Sequence, residues 1–316
     1  MPDRRTIAVI GATGAQGGGL ARAILSDPSR AFAVRALTRK PGSDNARALQ
    51  AAGAEVVAGD LDDPASLERA FRGGWGLFAL TNFWEHLSPE REFTQAGNQA
   101  RAAKQAGVSH VIWSTLEDTR RWVPLDDDRM PTLMGRYKVP HLDAKGEADA
   151  TFRETGVPTT FLLTSFYWDN FIHFGMGPKR GPDGRLAITF PVGKARLPGI
   201  AVEDIGKSAL GIFRRAGDYA GKTVGIAGEH LTGAEMAAGF SQAFGEEVRY
   251  NDVPPEVYRG FGFPGAEDLG NMFQFMRDFS EDFRRPRDVE ATRRLNPELQ
   301  SFGQWLERNK SRIPLD

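Results

Sequence analysis

The densest chemical signal in the chain is a run near its amino terminus: Gly11, Ala12, Thr13, Gly14, Ala15, Gln16, Gly17, Gly18 and Gly19. Glycines at 11, 14 and 17 give a G-x-x-G-x-x-G spacing. A loop of this kind lets a strand turn sharply, brings backbone against a pyrophosphate, and opens a helix whose unsatisfied N–H groups face the phosphates. Side chains at the three glycine positions would block that approach. The competing reading is a glycine-rich turn without a ligand, since the chain holds 36 glycines. Placement directly after a first apolar strand favours nucleotide binding, with Gly11, Thr13, Gly14, Ala15, Gln16 and Gly17 around the phosphates.

A second group selects among nucleotides. NAD-binding loops place an acid about 20 residues beyond the glycines, at the end of the second strand, to hold the ribose hydroxyls. Here that strand ends Thr38-Arg39-Lys40, without an acid. The planar fork of Arg39 suits a 2′-phosphate and Lys40 adds a second charge, so NADP(H) is expected over NAD. The alternative is that both are solvated loop charges. Asp60 and Leu61 end the third strand, where they would meet the adenine edge; an Asp there also serves as a helix N-cap.

Proton transfer is confined to few groups. Cysteine is absent, which excludes disulfides, thiolate metal sites and thiol nucleophiles, and only five His and five Tyr are present. Short-chain carbonyl reductases use Tyr-x-x-x-Lys, the tyrosine donating a proton and the lysine binding ribose and lowering the phenol pKa. Lys145 fits the lysine, but the residue four before it is His141, and Tyr137 stands eight before it. His141 has the i, i+4 spacing and unperturbed pKa of a substitute acid. A helix-start histidine that simply packs is an equal reading. Three acids, Asp126, Asp127 and Asp128, lie in the segment 118–140. Without further ligands at spacing they read as a solvated turn, and no metal is expected.

These residues need a scaffold. Short, β-branched or aromatic runs at 6–11, 32–39, 54–59, 75–81, 110–114 and 158–163 are nearly continuously apolar, as parallel strands covered on both faces are. Helical patterns at 16–26, 43–52, 63–71, 88–106 and 143–154 separate them, and Asp63-Pro64 and Ser88-Pro89 are helix starts. The alternation predicts an α/β protein with a doubly wound parallel sheet. Ligands bind outside the carboxyl ends of such strands, so Thr81-Asn82-Phe83-Trp84-Glu85 and Ser114-Thr115-Leu116-Glu117 are expected to flank the nicotinamide. Beyond Phe166 the rhythm turns irregular, with strands predicted at 186–190 and 222–227 and helices at 202–216, 232–244, 264–278 and 301–312. The expected division is a Rossmann domain over 1–165, with later contributions from 200–230, and a smaller mixed α/β domain over 166–316.

The 316 residues carry a net charge of −1, so there is no broad basic field and no direct nucleic-acid binding is expected. Arg284, Arg285 and Arg287, like Arg293 and Arg294, sit among acids. No signal-like apolar leader or uncharged stretch of about 18 residues occurs, which predicts a cytoplasmic protein without a membrane span.

Taken together, the segments 11–18 (GATGAQGG), 38–39, 59–60, 81–85 (TNFWE), 141–147 (HLDAKGE), 156–158, 167–170 (YWDN), 262–273, 295–297 and 304–307 resemble the NmrA-like branch of atypical short-chain dehydrogenases, particularly its NADP(H) redox sensors. The resemblance runs nearly end to end. It implies a Rossmann domain with a small α/β domain, NADP(H) as cofactor, Arg39 on the 2′-phosphate and Lys145 at the nicotinamide ribose. It also implies that Asn82, Phe83, Tyr167 and Asn170 lie along the cofactor. Two functions follow. One is a sensor that reports cofactor state to a regulatory protein partner and lacks the usual tyrosine. The other is an NADPH-dependent reductase of a quinone, carbonyl or enone, with Lys145 positioning the cofactor and His141, Tyr137 or water supplying the proton. Phe83, Trp84, Phe166, Tyr167, Trp168 and Phe171 would then line a pocket for a small apolar or aromatic substrate, although such residues more often pack a core.

Overall fold

Apolar runs bounded by capped helices fix the first half of the chain. In the computed structural model, which describes residues 4–315, six strands alternate with five main helices. The strands are β1 (Arg5–Val9), β2 (Phe32–Thr38), β3 (Glu55–Ala58), β4 (Gly76–Ala79), β5 (His110–Thr115) and β6 (Thr159–Leu163). The helices are α1 (Gln16–Leu25), α2 (Asp44–Ala51), α3 (Pro64–Phe71), α4 (Pro89–Gln105) and α5 (Pro140–Thr155). Ser43, Asp63 and Ser88 cap three of them through side-chain oxygens, the latter two ahead of a proline at the helix start.

β1 to β6 pair in parallel, and with a late strand, Thr223–Gly225, they form one sheet in the order Thr223–Gly225, β6, β5, β4, β1, β2, β3. β4, β5 and β6 are buried along their whole length, as their unbroken apolarity requires. The strand order reverses beside β1, between β4 and β2, so the carboxyl end of β1 opens on the crevice where such sheets bind ligands. This is the expected doubly wound Rossmann sheet.

The chain divides into two units. Unit 1 takes Met1–Glu117, Ala144–Leu163 and Val202–Val224. The helix Val202–Arg214 joins it by packing on α1, where a Cβ on Gly206 would stand 2.2 Å from the Gly19 carbonyl carbon. Its core stacks Trp113 on Phe152 at 4.7 Å among Leu77, Val111 and Phe161.

Unit 2 takes Asp118–Asp143, Thr164–Ala201 and Gly225–Asp316. It holds two three-stranded sheets, ordered Glu229–Leu231, Leu197–Ile200, Phe166–Tyr167 and Val248–Asp252, Leu186–Phe190, Lys179–Arg180. Phe171, Phe190, Phe240, Phe273, Phe302, Trp168 and Trp305 form its core. Several of the aromatics that also suited a substrate pocket are thus packing residues, Trp168 and Phe171 being essentially fully buried.

Two local differences from the sequence reading have physical causes. α5 begins at Pro140 rather than at residue 143, because Asp143 turns back to accept hydrogen bonds from the N–H groups of Lys138 and Val139. The same carboxylate accepts from the backbone N–H and hydroxyl of Thr119. The segment 118–143 is therefore organised by buried polar groups, with Lys138 Nζ donating to the carbonyls of Asp127 and Met130. The acid run itself stays at the surface, as a solvated turn does: Asp126 and Asp128 are exposed, and Asp127 pairs with Arg129, whose hydrogen bonds hold that carboxyl down at about 2.

Candidate cofactor site

The glycine loop leaves β1 through Ile10 and turns at Gly11, whose φ is +64°. Gly14 N–H closes the turn on the Gly11 carbonyl at 2.9 Å. Gly17 lies so close beneath that a Cβ would stand 2.2 Å from the Ile10 carbonyl oxygen, a contact no side chain can make. α1 therefore starts directly against the strand end. Its N-cap, Ala15, offers no side-chain acceptor, and no acid lies in its first turn. The first-turn N–H groups of a helix have no carbonyl partner within the helix, and a glycine turn that delivers them at a strand end suits an anionic ligand. Gln16 is turned toward β5, accepting from Ser114 Oγ at 2.8 Å.

The end of β2 carries Arg39, whose Nη2 contacts both carboxylate oxygens of Glu85, at 3.0 and 3.1 Å. Asn82 Nδ2 donates to the same carboxylate at 3.2 Å. Both Arg39 and Glu85 are about half exposed. Because β1 lies between β2 and β4, this pair joins the two segments that flank the glycine loop. Lys40 is exposed. Asp60 accepts from Asp62 N–H and shapes the turn, while Asp63, not Asp60, caps α3. The Leu61 carbonyl is held by Asn98.

At the other end of the crevice Lys145 is enclosed. Its Nζ lies 2.6 Å from Glu92 Oε1, 2.6 Å from Thr81 Oγ1 and 3.0 Å from the Thr81 carbonyl. The Thr81 hydroxyl in turn donates to Glu92 Oε1 at 2.5 Å. The three ammonium hydrogens thus each meet an oxygen, and a closed triangle of Lys145, Glu92 and Thr81 results. Trp113 covers the group from one side, 5.3 Å from ring centre to Nζ. Burial opposes ionisation of Glu92, but the Lys145 charge, with help from His86 and Thr81, outweighs it and holds the carboxyl down at about 2. His86 accepts the Ser88 N–H at Nδ1, so its Nε2 carries the proton of the neutral ring and faces Glu92 Oε2 at 3.5 Å. One turn further along α5, burial pushes the Asp149 carboxyl up to about 6 despite hydrogen bonds from Thr115 and Trp113.

Gly11 to Gly17, Arg39, Thr81, Asn82 and Lys145 therefore belong to unit 1 with Phe83, which is 2 % exposed and packs edge-on to Trp84 and His86. Tyr137, His141, Tyr167 and Asn170 belong to unit 2. Tyr137 is buried beneath the guanidinium groups of Arg120 and Arg136. His141 shares α5 with Lys145, and Asp268 clamps it twice, accepting from its backbone N–H at 3.1 Å and meeting ring Nδ1 at 2.5 Å. Tyr167 meets Thr164 Oγ1 at 3.2 Å, and burial pushes its phenol up to about 12. Asn170 opens a short helix, Asn170–His173. The sequence reading missed Glu92, His86 and Asp268. Glu92 looks like an ordinary acid in a first helical turn, and Asp268 lies more than a hundred residues from its partner.

A doubly wound parallel sheet whose first strand turns through glycines straight into the first helix defines a Rossmann-like protein. More narrowly, the chain belongs to the NmrA-like family, whose model matches residues 3–306. It is 30% identical over 306 residues to the NmrA-like family domain-containing oxidoreductase FrzB of Cladobotryum sp, covering 90% of this chain and 88% of that protein. In fold it matches NmrA, described as a negative transcriptional regulator, with a TM-score of 0.80, 24% identity and coverage of 96% and 95% of the two chains. NmrA has been solved in complex with NADP and with NAD. The triphenylmethane reductase of Citrobacter sp., solved with NADP(H), matches with a TM-score of 0.74 and 21% identity over 96% of this chain and 99% of that one.

Proposed function

We propose that this protein binds NADP(H) and acts as a redox-state sensor that signals to a protein partner. The observation that carries the reading is the closed triangle around Lys145. In a short-chain reductase the lysine lends its charge to a catalytic phenol and its hydrogens to ribose. Here Glu92 and Thr81 already take those hydrogens. Position 141 is histidine, not tyrosine, and Tyr137 is buried under two guanidinium groups. The glycine cradle and the N-terminus of α1 fit a pyrophosphate, Arg39 fits a 2′-phosphate, and Thr81 with Lys145 bounds the nicotinamide end. Signalling requires different affinities for oxidised and reduced cofactor, or for the partner in the two states. A net charge of −1 favours a protein over nucleic acid as that partner. No helix among the described residues is long and apolar enough to cross a membrane, which suits a cytoplasmic place of action.

A second reading, an NADPH-dependent reductase of a quinone, carbonyl or enone, draws on the His141–Asp268 pair and on relatives named as oxidoreductases. When bound, the nicotinamide supplies a hydride. Asp268 fixes the imidazole orientation, and His141 holds the proton that the reduced oxygen needs. The test is paired. NADPH, NADP and NADH are titrated by quenching of the six tryptophans, and NADPH consumption is then followed with a quinone and carbonyl panel. Tight binding that distinguishes NADPH from NADP, without turnover above the blank, is expected. Turnover at ordinary enzyme rates overturns the sensor reading in favour of the reductase.

A further inference from the structure

The sequence places no acid at the end of β2, yet the folded chain delivers one to the same spot. Glu85, six residues beyond β4, reaches the Arg39 guanidinium at 3.0 Å. Asn82 steadies its carboxylate at 3.2 Å. In a doubly wound sheet the end of β2 is where the adenosine ribose is read, by an acid for a 2′-hydroxyl or by an arginine for a 2′-phosphate. Here both groups are present and bonded to each other.

We propose that Glu85 is a specificity-determining residue that sets the balance between the two dinucleotides, an inference that rests on the cofactor-binding reading above. A 2′-phosphate takes the Arg39 fork only by displacing Glu85, whose charge repels it. A 2′-hydroxyl instead donates to Glu85, which Arg39 and Asn82 hold in place as an acceptor. Glu85 therefore weakens NADPH binding and strengthens NADH binding, leaving a protein that accepts both and prefers NADPH less than Arg39 alone dictates. Both side chains are about half exposed, so the exchange of partners needs no unfolding of the core.

The test compares NADPH and NADH affinities by calorimetry at fixed ionic strength for the wild type, Glu85→Gln, Arg39→Ala and the double variant. Breaking an exposed ion pair and removing a repulsive charge predicts NADPH binding about 2- to 5-fold tighter in Glu85→Gln. Replacing a charge-assisted acceptor by a neutral one predicts NADH binding weaker by a similar factor, so the NADPH/NADH preference moves by about tenfold. In the Arg39→Ala background the part of the NADPH gain that comes from freeing the guanidinium is lost, so the gain shrinks to what removing the repulsion alone gives, whereas the NADH loss remains. A preference within twofold of wild type in Glu85→Gln overturns the proposal while leaving cofactor binding intact. An equal NADPH gain with and without Arg39 also overturns it, because the effect is then a general one of charge. If folded wild type binds neither nucleotide, the cofactor reading itself fails and this inference with it.

Discussion

Lys145 Nζ and Glu92 Oε1 stand 2.6 Å apart, with the glutamate side chain wholly buried and the lysine side chain 12 % exposed. A buried pair of this kind is expensive to break and cheap to replace as a unit. Lys145→Met should leave an unpaired buried carboxylate and cost about 3–5 kcal/mol in urea unfolding. The Lys145→Met/Glu92→Leu double variant should recover most of that loss. A Lys145→Met protein within about 1 kcal/mol of wild type would mean that solvent already compensates the pair.

The same pair sets an acid limit. The Glu92 carboxyl titrates at about 2 in the folded chain against an ordinary 4.5. A depressed folded pKa contributes stability that is fully present above the unfolded value and lost as pH falls through the folded one. The wild type should therefore lose stability between pH 4.5 and 2, and Glu92→Gln should flatten the curve in that window. Unfolding free energies measured at half-unit pH intervals check this.

Asp149 works in the opposite sense. Burial raises its carboxyl from 3.8 to about 6, so its contribution is present below pH 3.8 and is lost as pH rises through 6. Asp149→Asn keeps an acceptor for Trp113 and Thr115 without a charge to bury. It should stabilise the protein by about 1–3 kcal/mol at pH 7.5 and by little at pH 4. A variant less stable than wild type at pH 7.5 would show that Arg153, 3.3 Å from the carboxylate, compensates the buried charge.

The doubly wound sheet was legible because its strands are continuous apolar runs and its helices start with Asp63-Pro64 and Ser88-Pro89, signals local to the chain. Strands such as Phe166–Tyr167, Lys179–Arg180 and Glu229–Leu231 were not legible, since two or three residues show no period and are held by partners far away in sequence. The site divides in the same way. Gly11, Gly14, Gly17, Arg39 and Lys145 stand out by type and spacing. Glu85 was visible within the Thr81–Glu85 block, but not as the partner of Arg39, which needs β2 and β4 to flank β1. Glu92 beneath Lys145 and Asp268 on His141 are products of tertiary packing.

Gly17 is the most constrained position of the loop. A Cβ there would meet backbone, 2.2 Å from the Ile10 oxygen and 2.6 Å from the Gly11 carbonyl carbon, and neither can swing aside as a side chain does. Gly17→Ala should push α1 off the strand end, costing about 3 kcal/mol of stability and abolishing dinucleotide binding measured by tryptophan quenching. Gly42→Ala, where a Cβ meets nothing within 4 Å, serves as the control and should bind as wild type does.

His141 and Asp268 give the sharpest separation of sensor from reductase. Asp268 accepts from the His141 backbone N–H at 3.1 Å and meets ring Nδ1 at 2.5 Å, so one carboxylate both caps the start of α5 and orients the imidazole. Asp268→Asn retains an acceptor for the backbone but loses the charge that supports an imidazolium. Its stability cost should stay near 1–2 kcal/mol, read by thermal unfolding. In a sensor the ring has no proton to deliver, so NADPH affinity and its difference from NADP should be unchanged within about twofold. In a reductase, any turnover found with the quinone and carbonyl panel should fall by about 10²–10⁴ while NADPH affinity holds, because general acid catalysis is lost and binding is not. A kcat loss of that size in Asp268→Asn, matched by His141→Phe, would assign the proton to His141 and make this protein an enzyme.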